Sequence, residues 1–237
     1  MNRERLVNGL KIMGIPADDD AVLRFERFHA LLDEANAHMD LTAVLEEDER
    51  IDRHDLDSVT VLSKIPIPKG ASVIDVGTGA GFPGIPILIL RPDLKMVFMD
   101  AQQKRIAFLQ SALEELGLSA EVVHSRAEDA GQGTLREQFD FAVSRAVAPM
   151  PVLEEYMLPL IKVGGLGIAW KGPKAQEEMD AARRAAFLLG GKIESVLEAP
   201  VPLREEWNHI LIATRKSAKT PKGYPRKAGT PAKKPLG

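Results

Sequence analysis

There is no cysteine among the 237 residues. That absence excludes disulfides, thiolate zinc sites, iron–sulfur clusters and a cysteine nucleophile. Long apolar runs are missing too, since nothing approaches the ~20 consecutive apolar residues that span a bilayer. The opening Met1-Asn2-Arg3-Glu4-Arg5 lacks the apolar core of a signal peptide. A cytoplasmic protein without a membrane segment is therefore expected. No internal repeat is evident. The end of the chain lacks acid altogether: residues 215–237 hold eight Lys and Arg and no Asp or Glu, leaving 23 basic against 34 acidic residues in 1–214. A basic, Pro- and Gly-containing tail on an acidic body points to a polyanionic partner, with a solvated tail of no specific target as the plain alternative.

What is present suits one α/β core with appendages. The expected organisation is an N-terminal helical cap over 1–66, a main domain over 67–215 and a basic flexible tail over 216–237. In the cap, Leu6, Leu10 and Met13 repeat at helical spacing, with Gly14 and Pro16 as stops. Phe25, Phe28, Leu32, Ala35 and Met39 form a second stripe. A third segment, from about Glu47 to Lys64, contains Arg53-His54-Asp55-Leu56-Asp57-Ser58, too polar to be core on every side. From residue 71 the pattern alternates strand and helix, the mark of a parallel sheet. Strands are expected at Val73–Val76, Lys95–Met99, Glu121–His124, Phe141–Ser144 and Gly165–Trp170. Helices are expected at Gln103–Leu116, Val152–Ile161 and Ala175–Leu189. Two last strands, Ile193–Leu197 and His209–Thr214, are expected antiparallel at one edge.

The first strand runs into Asp75-Val76-Gly77-Thr78-Gly79-Ala80-Gly81-Phe82-Pro83-Gly84. Glycines let a ligand lie against the main chain. Residues 79–84 satisfy GxGxxG, the dinucleotide fingerprint. However, Pro83 removes one of the helix-N-terminal amides that a pyrophosphate needs. An acid ahead of the glycines suits a cationic ligand better, and this is the order found in S-adenosylmethionine sites. Open α/β sheets bind ligands beyond the carboxyl ends of their strands, and each strand end here carries a suitable group. The first delivers Asp75 and Gly77–Gly81. The second delivers Asp100, 23 residues past Gly77 and at the separation of a ribose-binding acid. The third delivers Ser125-Arg126-Ala127-Glu128, where a small residue and an acid could meet adenine. The fourth delivers Ser144-Arg145-Ala146, and the fifth Lys171-Gly172-Pro173.

Taken in order, these motifs resemble the bacterial GidB (RsmG) methyltransferases, which place a 7-methyl group on a guanine of 16S ribosomal RNA in the small ribosomal subunit. The resemblance is carried by Arg53-His54-Asp55-Leu56-Asp57-Ser58, by Asp75 through Pro86, and by Arg91-Pro92. Asp100 with Lys104-Arg105, Ser125–Glu128, Ser144-Arg145-Ala146 and Lys171-Gly172 complete it. Asp40-Leu41-Thr42 departs from the family's usual Asn-Leu-Thr. The resemblance implies a Rossmann-like class I S-adenosylmethionine-dependent methyltransferase with a seven-stranded, mostly parallel sheet. It implies cofactor contacts from Gly77, Phe82, Ala127, Glu128 and Arg145, with Asp100 on the ribose. Asp75 and Gly79 are added as cofactor-site candidates from the strand-end reading, and no metal is expected.

Guanine N7 carries an in-plane lone pair and no proton, so its methylation needs no general base. Arg126, Arg145 and Lys171 are accordingly expected to position the RNA rather than to act as acids. The absence of an Asn-Pro-Pro or Asp-Pro-Pro run and of cysteine agrees with N7 chemistry. A nicotinamide oxidoreductase and an S-adenosylmethionine- or RNA-binding assembly factor without turnover stand as alternatives. The chain is expected to act as a monomer. Deleting 216–237 is expected to weaken RNA binding and to leave cofactor affinity intact.

Overall fold

A computed structural model describes residues 1–237. Seven strands form one sheet: β1 (Ser72–Val76), β2 (Lys95–Asp100), β3 (Glu121–His124), β4 (Phe139–Arg145), β5 (Ile161–Lys171), β6 (Gly191–Glu198) and β7 (Ile210–Lys216). Their order across the sheet is β3-β2-β1-β4-β5-β7-β6. The first five are parallel to one another. Only β7 runs against the rest, wedged between β5 and β6 and antiparallel to both. The last two strands thus lie together at one edge as expected, with the reversal confined to β7.

Along β1 the side chains alternate between two cores, as a pleated strand requires. Val73 belongs to a cluster with Phe25, Phe28, Phe98, Ile168 and Leu211. Ile74 and Val76 belong to a second cluster with Met99, Leu153, Met179 and Ile212. The first face is covered by the N-terminal cap: α1 (Arg3–Ile12), α2 (Asp19–Asn36), α3 (Glu47–Arg50), a π-helical stretch Ile51–Leu56 and α4 (Asp57–Lys64). Packed there too are α5 (Gly84–Leu90) and α6 (Gln103–Glu115). The helix α5 was hidden in the sequence by its uniformly apolar composition. Pro86 falls in its first turn, where an amide has no intrahelical acceptor. The second face is covered by α7 (Ala127–Gln132), α8 (Met150–Met157) and α9 (Met179–Leu188). The helix expected at 152–161 stops at Met157, and a 3-10 turn containing Pro159 leads straight into β5.

Buried ion pairs knit the cap together, and one of them reaches across to the sheet domain through Arg204. Asp52, with a fully buried side chain, accepts from Arg5 Nε and Nη2 at 2.7 and 2.6 Å and from Arg204 Nε at 2.8 Å. Buried His29 and Asp55 pair at 2.6 Å. The wide π turn changes which residues share a face, so Asp52 and Asp55 point into the cap while Arg53, His54 and Asp57 line a surface pocket.

The tail, expected as a flexible appendage, is folded against the body. It packs on the second face and ends in α10 (Thr230–Lys233). Arg226 forms a forked pair with Glu155, whose side chain is fully buried, at 2.6–3.1 Å. Arg136 donates to the carbonyls of Thr220, Tyr224 and Gly131, each at 2.7 Å. Lys216 is buried, donating to Leu158 O at 2.6 Å and to Thr220 Oγ1. Burial lowers its pKa to about 8. The composition reads as solvated because basic, Pro-rich segments usually lack acceptors, whereas Glu155 and the rim of α7 supply them here. No helix is long and apolar enough to cross a membrane.

Candidate active site

At the carboxyl ends of β1 to β4, where the strand order reverses, lies a cavity of about 360 Å³. Open parallel sheets bind ligands at such a reversal. Its walls are Val76 at the end of β1 with Gly77 after it, Met99 and Asp100 from β2, Arg126, Ala127 and Glu128 after β3, and Val147–Pro149 after β4. Val152 and Tyr156 of α8 close the far side. Gly77, Gly79 and Gly81 have φ of 71°, 61° and 101°, which side-chain-bearing residues rarely adopt. A Cβ on Gly77 would also come within 2.7 Å of Val147 Cγ2. The Gly77 and Thr78 amides donate to Met99 O at 2.9 and 3.1 Å, and the Gly79 amide to Asp100 Oδ2 at 3.0 Å. The loop is thereby tied to the end of β2. Asp100 also accepts from Gln102 N at 2.9 Å and Arg105 Nη1 at 3.3 Å. A carboxylate has roughly four lone-pair sites, and three donors already occupy it, so Asp100 retains about one site, on Oδ1, for a ribose hydroxyl.

Four of the expected cofactor residues, Asp75, Gly79, Phe82 and Arg145, are not in the walls of this cavity. Asp75 points to the opposite face of the sheet from Val76, because its parity along β1 is that of Val73. There its Oδ2 accepts from Thr78 Oγ1 at 2.7 Å and from Gly84 N at 2.9 Å. Burial pushes its pKa up to about 7. It braces the glycine loop from beneath. The same contact answers the dinucleotide reading: Pro83 has no N–H and the Gly84 amide is already committed, so no free amide pair faces a pyrophosphate. Gly79 acts through its bond to Asp100, and Phe82 is turned toward the cap. Phe82 stacks on His54 with ring centres 4.5 Å apart and lies under the Arg145 guanidinium at 5.4 Å.

A second pocket of about 390 Å³ opens beside the first and shares Ala148 with it. Arg53, His54, Asp57, Arg145, Trp170, Lys171 and His209 contribute to its lining. Of the three expected positioning residues, Arg145 and Lys171 meet here, while Arg126 sits exposed on the rim of the first cavity. Asp57 organises the pocket. It accepts from Arg145 Nη1 at 2.7 Å and His209 Nδ1 at 2.9 Å, and its own carbonyl accepts from Trp170 Nε1 at 2.8 Å. Burial opposes the Asp57 charge, but His209 and Arg145 outweigh it and hold the carboxyl below its usual range. Arg145 also donates to Arg53 O at 2.7 Å. Lys171 donates to Ala148 O at 3.1 Å and Glu178 Oε2 at 2.9 Å. His54 is hydrogen-bonded to Thr42 Oγ1 at 2.7 Å, and burial with the nearby Arg145 charge lowers its pKa to about 3. It is neutral at physiological pH.

Between the pockets, Ala146 holds φ of 56°, a left-handed conformation that costs a non-glycine residue roughly 1 kcal/mol or more. This turn leaves Arg145 and Ala146 lining one pocket and Val147 the other. Sequence reasoning missed Asp57 as organiser, His209, Trp170 and the Ala146 turn. Asp57 stood inside a recognised motif, but its partners lie 88 to 152 residues away.

Comparison with known proteins identifies the family and the fold. Residues 22–205 match the family model GidB, described as rRNA small subunit methyltransferase G. The chain is 45% identical to the ribosomal RNA small subunit methyltransferase G of Lactobacillus acidophilus over the full length of both chains. It is 43% identical to that of Alkaliphilus metalliredigens, covering 98% of this chain and 97% of the relative. Among solved structures, an S-adenosylmethionine-dependent methyltransferase from Aquifex aeolicus aligns with a TM-score of 0.53 and 21% identity, over 72% of this chain and 94% of that one. The fibrillarin pre-rRNA processing protein of Methanococcus jannaschii aligns with a TM-score of 0.52 and 14% identity, over 68% of this chain and 74% of its own. The fold is therefore that of the Rossmann-like class I methyltransferases, and the chain belongs to the GidB family of rRNA small subunit methyltransferases.

Proposed function

We propose that the protein transfers the methyl group of S-adenosylmethionine to N7 of a guanine in 16S ribosomal RNA. The observation that carries this reading is the pair of adjoining pockets: a mainly apolar cavity with acids at two of its walls, and a cationic pocket meeting it at Ala148. The first fits the cofactor. Apolar side chains from Val76, Met99, Ala127, Val147 and Val152 would flank the adenosyl group, Asp100 would take a ribose hydroxyl, and the Gly77 backbone admits close approach. Bound there, S-adenosylmethionine supplies an electrophilic methyl group on a sulfonium. In the second pocket, Arg145 and Lys171 would hold the guanine and its flanking phosphates, with Arg126 reaching phosphate at the rim.

The residues of the second pocket are arranged to orient rather than to move a proton. Both oxygens of Asp57 are occupied, and His54 is neutral and hydrogen-bonded. Attack by N7 releases no proton, so such a pocket suffices if it aligns the lone pair with the methyl carbon. The positive charge that grows on the purine meets the neutralised Asp57–Arg145 pair instead of a bare cation. Acting on ribosomal RNA, the protein would work in the cytoplasm.

The test is to incubate the protein with methyl-labelled S-adenosylmethionine and small ribosomal subunits, or with naked 16S RNA, and to map the label. Transfer to a guanine N7 is expected. No transfer, or transfer to another atom, would overturn the assignment.

A further inference from the structure

The segment that follows β7 lies outside the residues matched by the family model, which end at 205. Yet two of its residues, Ala232 and Pro235, line the cavity assigned to the cofactor. They share that lining with Glu128 and Tyr156. The contact is built. Glu128 is only 4% exposed, and its Oε1 accepts the Gly229 amide at 2.8 Å. Gly229 has φ of 79°, so the chain turns there in a conformation that favours glycine and delivers its N–H to the carboxylate. Upstream, the forked Arg226–Glu155 pair fixes the approach of the segment, and the Arg226 amide donates to Glu155 Oε1 at 2.7 Å. Downstream, α10 starts within two residues and Leu236 packs against the second core.

We infer that residues 229–235 form a wall of the cofactor site and position Glu128, so that full affinity for the adenosine part of S-adenosylmethionine requires the end of the chain. The sheet supplies the floor and the ribose acid Asp100. The tail supplies a side that no strand reaches, and it holds Glu128 with one oxygen engaged and the other available to a donor on the ligand. This rests on the assignment of the cavity to S-adenosylmethionine. It replaces the sequence expectation that removing the tail leaves cofactor affinity unchanged. Binding and tail order are linked in both directions: a ligand held by the wall must also hold the wall.

The test uses S-adenosylhomocysteine, which shares the adenosine part, in calorimetric titrations of the full chain, of a chain ending at Ala228, and of Gly229→Pro. The proline variant lacks the N–H donor and cannot hold the φ at 229. Both variants are expected to raise Kd at least tenfold. In the unmodified protein, saturating S-adenosylhomocysteine is expected to slow trypsin cleavage after Lys227 and Lys233 by at least fivefold. A folded variant with unchanged Kd overturns the inference. So does cleavage of the intact protein at the same rate with and without ligand, a measurement that needs no variant. Failure of the full chain to bind S-adenosylhomocysteine would instead overturn the cofactor assignment itself.

Discussion

Asp57 is the side chain on which the second pocket depends. Its carboxylate sets the guanidinium of Arg145 and the imidazole of His209 from a fully buried position. Removing one partner of a buried pair leaves the other charge uncompensated, typically at about 3–5 kcal/mol. Asp57→Ala is therefore expected to lower unfolding free energy by about that amount, read from denaturant midpoints. Arg145→Lys keeps the charge but loses the planar fork. It is expected to lower kcat/KM for the RNA by about 10- to 100-fold, which corresponds to ~1.4–2.8 kcal/mol. Cofactor Kd should remain within about twofold, since Arg145 does not line the first cavity. A large rise in that Kd would show that Arg145 reaches the cofactor as the family resemblance implies. Single residues were legible in the sequence where a motif names them, as with Gly77, Asp100 and Glu128. The pairing of Asp57 with His209 was not, because it joins positions 152 residues apart and leaves no local pattern.

Among the elements, β1 shows how periodicity decides a role. Both Asp75 and Asp100 were expected at the ligand. Alternation along the strand sends Asp75 beneath the glycine loop, while Asp100, at the very end of β2, stays in the cavity wall. The approximate positions of the strands were readable from their β-branched and apolar runs. The helices α5 and α7 were not: the first is apolar on all sides, and the second spans six residues. The helix α8 carries a further consequence. Its Glu154 is fully buried against Thr214 Oγ1 at 2.7 Å, and burial raises its pKa from 4.5 to about 8. Between those values the native state binds more protons than the unfolded chain, so stability falls as pH rises. Asp75 acts the same way up to about 7. His54, buried uncharged with a pKa of about 3, acts in the opposite sense below 6.5, where the unfolded chain takes up the proton. Glu154→Gln removes the first contribution. Its Tm, relative to the unmodified protein, is expected to rise as pH goes from 6.5 to 8.5.

At the scale of the whole molecule, an acidic body must approach a polyanion. Much of the tail's charge is already spent internally, with Arg215 paired to Glu194, Arg226 to Glu155, and Lys216 buried. Five lysines remain exposed in the tail, at 219, 222, 227, 233 and 234. Replacing Lys219, Lys222 and Lys227 by Gln is expected to flatten the dependence of log K on log salt by about 0.7–0.9 for each phosphate that a lysine no longer neutralises. Filter binding of 16S RNA across a salt series reads this directly. An unchanged slope would show that the RNA does not touch this side. The charge asymmetry was plain in the sequence; which of the charges point outward was not, because their internal partners Glu155 and Glu194 belong to other elements.

The insertion of β7 between β5 and β6 imposes an order in time. Until residues 210–216 leave the ribosome, the hydrogen-bonding edge of β5 has no neighbour and β6 has no sheet to join. An unpaired strand edge is a template for pairing with another chain. A nascent or prematurely stopped chain lacking β7 thus exposes Leu166–Trp170 as an adhesive edge, and the sheet closes only once β7 has emerged.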